Sequence, residues 1–559
     1  MRRLCHQRTR WARGASLGIG AALLGTIASP LAVAQVAAAE AHGKVDFGRY
    51  GFPIASVGDL DGQLGEELLA GDIRAKDTAG KQVGRVDVWS GISGSLVRTH
   101  DGVASGEEYG QWVAALGDVD LDGVPDYGIG APYRPNGSVT RAGVIEARSG
   151  ATGALIWTFV GGAASDHVGS AFIRHDDLDG DGRAELLAVV RGNLVVVNGV
   201  GTQRFAVGTA PALPGTFASI GDLDSDGFRD IAVGSPRYSG AVGNEGQVLL
   251  YSGATGASIG SFDGTSVDDA IGSQLLALPD LDGDGVDDLA VSGRYSGNNS
   301  KVQEGMVEVR SGATFVTLWS KRGRAGSLFG IWLERAGDWN GDGVAELAAT
   351  AYLGGAASAG SVEILSADTG SLRHEFAGRS TSPDEQEFGS RTAGGDFDGD
   401  GVGDLAIGIK NWWDYAPGPA YPGAVRWYLG CPAFSASYGA GWPGTLSTPS
   451  LTVTGAPALG ATITLAADNS LGAATTGLLL IGAAPANLPL RGGGTQLVDA
   501  LYYELIPVPA AGWSDLSTVP NDPAFCFLDI YLQMLELDPG AAGHLSLTNG
   551  LQLRIGFDL

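Results

Sequence analysis

The segment GDLDSDGFRDIAVGSP, residues 221–236, places Asp222, Asp224 and Asp226 at alternate positions, adds Gly227 and Asp230, and runs straight into an apolar stretch. The pattern occurs with first aspartates at Asp59, Asp118, Asp177, Asp222, Asp280, Asp338 and Asp396, at intervals of 59, 59, 45, 58, 58 and 58 residues. A fixed period of this size means repeated supersecondary units sharing a continuous core, because one unit alone cannot bury its apolar face. The repeat thus absorbs most of a 559-residue length that would otherwise suggest several unrelated domains.

Each repeat reads as four strands. An apolar segment such as QWVAAL leads into the acidic loop, DYGIGAP follows it, GVIEARSG comes after a variable loop, and LIWTFV closes the unit. Period-2 alternation bounded by Gly, Asn, Asp and Ser predicts antiparallel strands, and four per repeat is a propeller blade. With 90 glycines and 17% charged residues, the composition fits a turn-rich all-β chain. The short third interval comes from LLAVVRGNLVVVNG, which joins two strands through a tight turn and loses a loop rather than a strand. Seven repeats over about 36–430 predict a closed seven-bladed β-propeller. The seventh repeat changes character at Cys431 before its outer strand, so residues around 36–46 are expected to supply that strand and fasten the ring.

Several short motifs carry a resemblance. Tyr109-Gly110 precedes an acidic loop and Gly130-Ala131-Pro132 follows it; Phe-Gly recurs at 329–330 and 388–389, and Gly-Ser-Pro at 234–236 is a near match. Ile271-Gly272, Val168-Gly169 and Leu213-Pro214 depart from the pattern. Over roughly 390 residues the chain resembles the FG-GAP repeats of the integrin α-subunit propeller and their bacterial relatives. The resemblance implies a seven-bladed, calcium-loaded propeller and says little about ligand.

Independently of the resemblance, the loops specify a cation. Carboxylates crowded this closely repel and lose hydration unless a positive charge sits among them. Oxygen donors at loop positions 1, 3, 5 and 9, with glycine at 6, suit calcium, a hard ion that takes six to eight oxygens. No Cys or His enters a loop, against the usual zinc sets, and position 12 is apolar (Ile129, Ala188, Val233, Val291, Ala349, Ile407) where an EF-hand needs Glu. The expected ligand sets are Asp118, Asp120, Asp122 and Asp126; Asp177, Asp179, Asp181 and Glu185; Asp222, Asp224, Asp226 and Asp230; Asp280, Asp282, Asp284 and Asp288; Asp338, Asn340, Asp342 and Glu346; and Asp396, Asp398, Asp400 and Asp404. The first repeat offers Asp59, Asp61 and Glu67 but has Gln63 and Leu64 where Asp and Gly are expected, so its site is weaker. The alternative for any one loop is an acidic turn held by its own Asx hydrogen bonds. The ions are expected to be structural, because the ligands are consumed by the metal. His42, His100, His167, His175, His374 and His544 are scattered without triad or metal spacing, and His175 reads as loop packing.

Arg2, Arg3, Arg8, Arg10 and Arg13 precede an apolar run to Ala34, which predicts a signal peptide over 1–34 and export, an uncleaved anchor being the alternative. A formal net charge of -27, more negative still without those arginines, argues against nucleic acid or anionic lipid as partner. Residues 431–559, with runs such as SLTVTG, ATITLAA and LQLRIGF, predict a small C-terminal β-sandwich. Cys431 and Cys526, the cysteines beyond the signal, form one disulfide or remain as two buried thiols.

In an antiparallel blade the acidic loops leave one face and the loops between second and third strands leave the other. Those loops carry Tyr133, Arg134, Arg237, Tyr238, Arg294, Tyr295, Tyr352, Trp412, Trp413 and Tyr415, residue types in which binding energy concentrates. Packing within their own loops is the plain alternative. The expected function is a secreted, non-catalytic binding or adhesion scaffold for protein or glycan; a propeller enzyme such as a polysaccharide lyase and a purely architectural surface protein are the alternatives.

Overall fold

The computed structural model describes residues 40–42, 49–211, 216–294, 303–339, 343–351, 360–378, 385–412, 423–430, 433–458, 460–490, 493–520 and 528–556. The signal segment, Asn340, Asp342, Tyr295, Tyr352, Trp413, Tyr415, Cys431 and Cys526 lie outside them. The chain divides into two compact units, Ala37–Gly430 and a second carrying Cys431–Leu559. Regular structure among the described residues is β-strand apart from one 3-10 turn at Ala542–His544.

Within Ala37–Gly430 every acidic repeat forms one four-stranded antiparallel sheet, seven among the described residues, a propeller-like arrangement. In the second, Trp112–Gly117, Asp126–Ala131, Val144–Arg148 and Leu155–Val160 lie side by side. Asp126–Ala131 is buried along its whole length, whereas Leu155–Val160 alternates between exposed and half-buried residues. A strand covered on both faces reads as a continuous small or apolar run, and DYGIGA is one. The third sheet joins Leu186–Val190 to Asn193–Val197 through Arg191 and Gly192, both at positive φ (50° and 75°), as a two-residue hairpin requires. In the seventh, Glu40–His42 pairs antiparallel with Ala424–Tyr428, and Arg426 Nε reaches Glu40 Oε2 at 3.1 Å. The outer strand missing locally at Cys431 is thus supplied from within the expected 36–46 segment.

Adjacent sheets are linked by one recurring device. The glycine ahead of a sheet's third strand forms a parallel bridge to the residue that begins the next repeat's aromatic-glycine motif: Gly84 to Tyr109, Gly143 to Val168, Gly246 to Ile271 and Gly305 to Phe329. The aromatics Tyr109, Phe329 and Phe388 are buried in the core. Gly84 shows why the partner is glycine: its φ is +85°, and a Cβ there would lie 2.2 Å from the Tyr109 carbonyl oxygen. Tyr50 bridges Gly423 in the same way, joining the last sheet to the first. Tyr50, Ile54 and Leu68 share an apolar cluster with Ala406, Val425 and Trp427 across that seam. Tyr50-Gly51 is therefore the first repeat's aromatic-glycine pair, at the same offset from Asp59 as Tyr109-Gly110 from Asp118.

In the second unit, Phe434–Tyr438, Gly550–Ile555, Leu528–Leu537, Thr475–Pro489 and Thr495–Val508 form one sheet, with Leu545–Leu547 paired to Leu528–Leu537. Leu451–Thr454, Thr462–Ala467 and Trp513–Thr518 form another. Leu451, Ile463 and Leu465 of the smaller sheet share one apolar cluster with Leu479, Ile481, Met534 and Leu553 of the larger.

Candidate metal centres

Each acidic loop connects the first strand of its sheet to the second. Asp118 Oδ2 accepts from Gly123 N at 2.8 Å, and the same position-6 to position-1 bond recurs at Asp177, Asp222, Asp280, Asp338 and Asp396, each at 2.8 or 2.9 Å. The glycine donors sit at positive φ, Gly123 at 90° and Gly401 at 85°. In the first loop Leu64 takes that place at φ 76°, donating to Asp59 Oδ2 at 3.1 Å, and its side chain is exposed. The turn is the same although the residue is unsuited to it.

The ninth position has a second duty that the sequence does not announce. Asp126 is fully buried; one carboxylate oxygen accepts from Val119 N (2.7 Å) and Asp120 N (3.1 Å), and the other from Gly150 N (2.8 Å) just beyond the third strand. Asp230 with Gly253, Asp288 with Gly312 and Asp404 with Gly430 repeat that bond. At two of the three repeats with Glu in this position the longer side chain comes near a fourth-strand arginine: Arg204 lies 2.6 Å from Glu185 and Arg373 4.0 Å from Glu346. The glycine after the third strand, preceded by Ser at Gly150, Gly253 and Gly312 but by Leu at Gly430, is the sequence signal for this tie.

The carboxylates converge. One oxygen from each of Asp59, Asp61 and Glu67 lies within 4.8 Å of the others, as do those of Asp118, Asp120 and Asp122; Asp177, Asp179 and Glu185; Asp222, Asp224 and Asp230; and Asp280, Asp282 and Asp288. The protonation equilibria of the ninth position register its burial first and the neighbouring carboxylates second. Burial, reinforced by Asp398 and opposed by the Gly430 amide, pushes Asp404 up to about 8. Burial likewise raises Asp126 to about 6, with Asp120 adding repulsion, and Glu67 to about 7, with Asp61 and Asp59 adding theirs. Asp230 and Asp288 move the same way for the same reasons. A donor set made only of carboxylate oxygens, gathered around one buried member, fits a hard divalent cation. Asp118, Asp120, Asp122 and Asp126, and their counterparts, are the residues that would hold it.

Residues 214–251 match a family model described as FG-GAP repeat. The chain is 31% identical over 219 residues to Integrin alpha-PS2 of Drosophila melanogaster, covering 34% of this chain and 14% of that protein. It is 28% identical over 213 residues to Integrin alpha-V of Gallus gallus, covering 33% and 20% respectively. The chain is an integrin α-like FG-GAP repeat protein. It spans a fifth or less of the length of these curated relatives.

On the opposite face of this FG-GAP protein the second-to-third-strand loops divide into two kinds. Tyr133 is exposed, edge-on to His167 at 5.2 Å with Arg141 over its ring; Arg237 and Tyr238 are exposed. Arg134 turns inward, pairs with Glu107 and Glu146, and covers the Tyr109 ring, so its guanidinium serves the fold. Arg294 is half-buried, and Trp412 ends a strand whose last side chains lie outside the described set. His175 is buried with Nδ1 2.8 Å from Ser219 Oγ, and His100 bonds Tyr127.

Proposed function

We propose that this protein is a calcium-loaded, seven-bladed propeller with a small C-terminal β-sandwich over 431–559, exported by a signal peptide at 1–34. It acts outside the cell or at its surface as a non-catalytic scaffold for a protein or glycan. The observation that carries this reading is the gathering of three carboxylate oxygens within 4.8 Å in one loop after another, on sheets whose other end presents Tyr133, Arg237 and Tyr238 to solvent. Calcium at one end stiffens the hairpins, which leaves the opposite loops as recognition elements on a rigid frame. The likeness to integrin α chains supports adhesion as the broad role. No described helix is long and apolar enough to cross a membrane.

Glycan-array and extracellular-protein binding by the full chain, compared with a Tyr133→Ala, Arg237→Ala, Tyr238→Ala triple variant, tests the reading. Binding that the triple variant loses while its calcium-dependent melting persists supports it. Binding indifferent to the three changes overturns it.

A further inference from the structure

The first strands of the sheets enclose two cavities. One of about 540 Å³ lies toward the acidic loops, with Asp176, Asp177 and Gly182 in its wall; the other, of about 230 Å³, reaches Pro53 at the opposite end. Trp112 and Trp332, from the second and sixth sheets, line both and meet edge to face with ring centroids 6.0 Å apart. A tryptophan pair thus partitions the interior.

The smaller chamber holds an arginine without a counter-ion among the described residues. Arg391 places its guanidinium carbon 4.0 Å from the Phe52 ring centroid and 4.0 Å from that of Trp332, a flat cation clasped between two faces. Its Nη1 donates to the Ser390 carbonyl at 3.0 Å, but its Nε is shielded from solvent and has no acceptor among the described residues. Other shielded arginines behave differently: Arg310 pairs with Glu308, Arg426 with Glu40, and Arg134 with two glutamates. Trp332 Nε1 in the same wall is shielded and lies within reach of the neighbouring Glu334 carboxyl, whereas Trp112 Nε1 donates to the Phe172 carbonyl. The Trp332 indole only softens the rise of the neighbouring Glu334 carboxyl, which burial pushes up to about 7. Burial alone drives the Arg391 guanidinium down to about 9, with no described carboxylate near enough to restore it. Buried donors are nearly always paired, so the orphaned Arg391 Nε on this cavity points to a missing acceptor.

The wall limits what that acceptor is. A guanidinium fork matches a planar carboxylate. Glu334, which lines the same chamber, opposes a dianion and offers an acceptor to hydroxyl groups. Trp112 supplies flat apolar surface of the kind sugar rings stack upon. We propose that this chamber binds a small hydroxylated carboxylate, a monoanion of uronate type, with its carboxylate on Arg391 and its hydroxyls toward Glu334. The site is separate from the exposed loops that carry the adhesion reading.

Tryptophan fluorescence and calorimetric titration of the full chain with D-glucuronate, acetate and D-glucose test it. D-glucuronate is expected to saturate, acetate to bind more weakly, and D-glucose, lacking the carboxylate, to give no saturable signal. Arg391→Lys, which keeps the charge but not the fork, weakens D-glucuronate about tenfold or more. Trp332→Phe, which keeps a ring but removes the donor facing Glu334, weakens it severalfold and decides the matter if the arginine variant does not fold. Tyr133→Ala with Tyr238→Ala leaves the affinity unchanged, which separates this site from the loop face. No saturable D-glucuronate binding, equal binding of D-glucose, or affinity indifferent to both chamber variants overturns the proposal.

Discussion

Replacing Gly84 by alanine tests how the sheets are joined, and Gly80 provides an internal control. Both glycines have positive φ, +85° and +78°, so alanine at either loses the backbone freedom that glycine enjoys there, at about 1 kcal/mol. A Cβ at Gly80 meets nothing within 4 Å, whereas one at Gly84 falls 2.2 Å from the Tyr109 carbonyl oxygen and 2.7 Å from its nitrogen. Those atoms are the backbone of the bridge between the first and second sheets, so relief requires the sheets themselves to part. Overpacking of this kind adds about 1–3 kcal/mol. Gly80→Ala should therefore cost about 1 kcal/mol, and Gly84→Ala about 3. Equilibrium urea unfolding in saturating calcium, followed by tryptophan fluorescence, measures both midpoints. Equal midpoints for the two variants would refute the claim that the glycine-to-aromatic contact is what couples the sheets.

Three further outcomes follow from the loops and the half-buried His374. Asp120 adds to the repulsion on Asp126; Asp120→Ala should leave the chelated protein unchanged or slightly more stable and lower the melting point in calcium, a sign reversal read by scanning calorimetry in both conditions. Leu64→Gly should raise stability by about 1 kcal/mol in urea titration, because Leu64 holds φ 76° with its side chain 77% exposed and nothing gained from it. Burial lowers His374 from its usual value to about 4. The folded state therefore favours neutral imidazole, and the stability this gives is complete above about pH 6.5 and lost as pH falls toward 4. His374→Phe should flatten that acid limb by on the order of 1–2 kcal/mol in pH-dependent urea midpoints relative to the parent.

The repeat made the architecture legible because it states itself seven times. Strand order, the third-sheet hairpin at Arg191-Gly192 and the borrowing of Glu40–His42 follow from apolar alternation, turn residues and one missing outer strand. The convergence of the carboxylates was legible for a similar reason: alternate aspartates at a fixed offset ahead of a buried strand turn toward one point of the loop. What stayed hidden depends on contacts between segments far apart in the chain. Asp126 reaching Gly150 and Glu185 reaching Arg204 join parts of a sheet distant in sequence. Arg134 looked like a surface arginine, yet Glu107 and Glu146 draw it inward. Arg391 and Trp332 come from different repeats with no shared motif, so only the assembled interior brings them together.

If divalent ions neutralise the crowded carboxylates and so hold the hairpins, metal-stripped protein must take up calcium and gain stability as it does. Calorimetric titration with calcium, with melting recorded at each endpoint, reads both quantities on one sample. Close to one ion per acidic loop is expected, together with a melting temperature that rises with calcium. Protein that binds no calcium at millimolar concentration, or that melts identically in chelator, would contradict the role given to the ions.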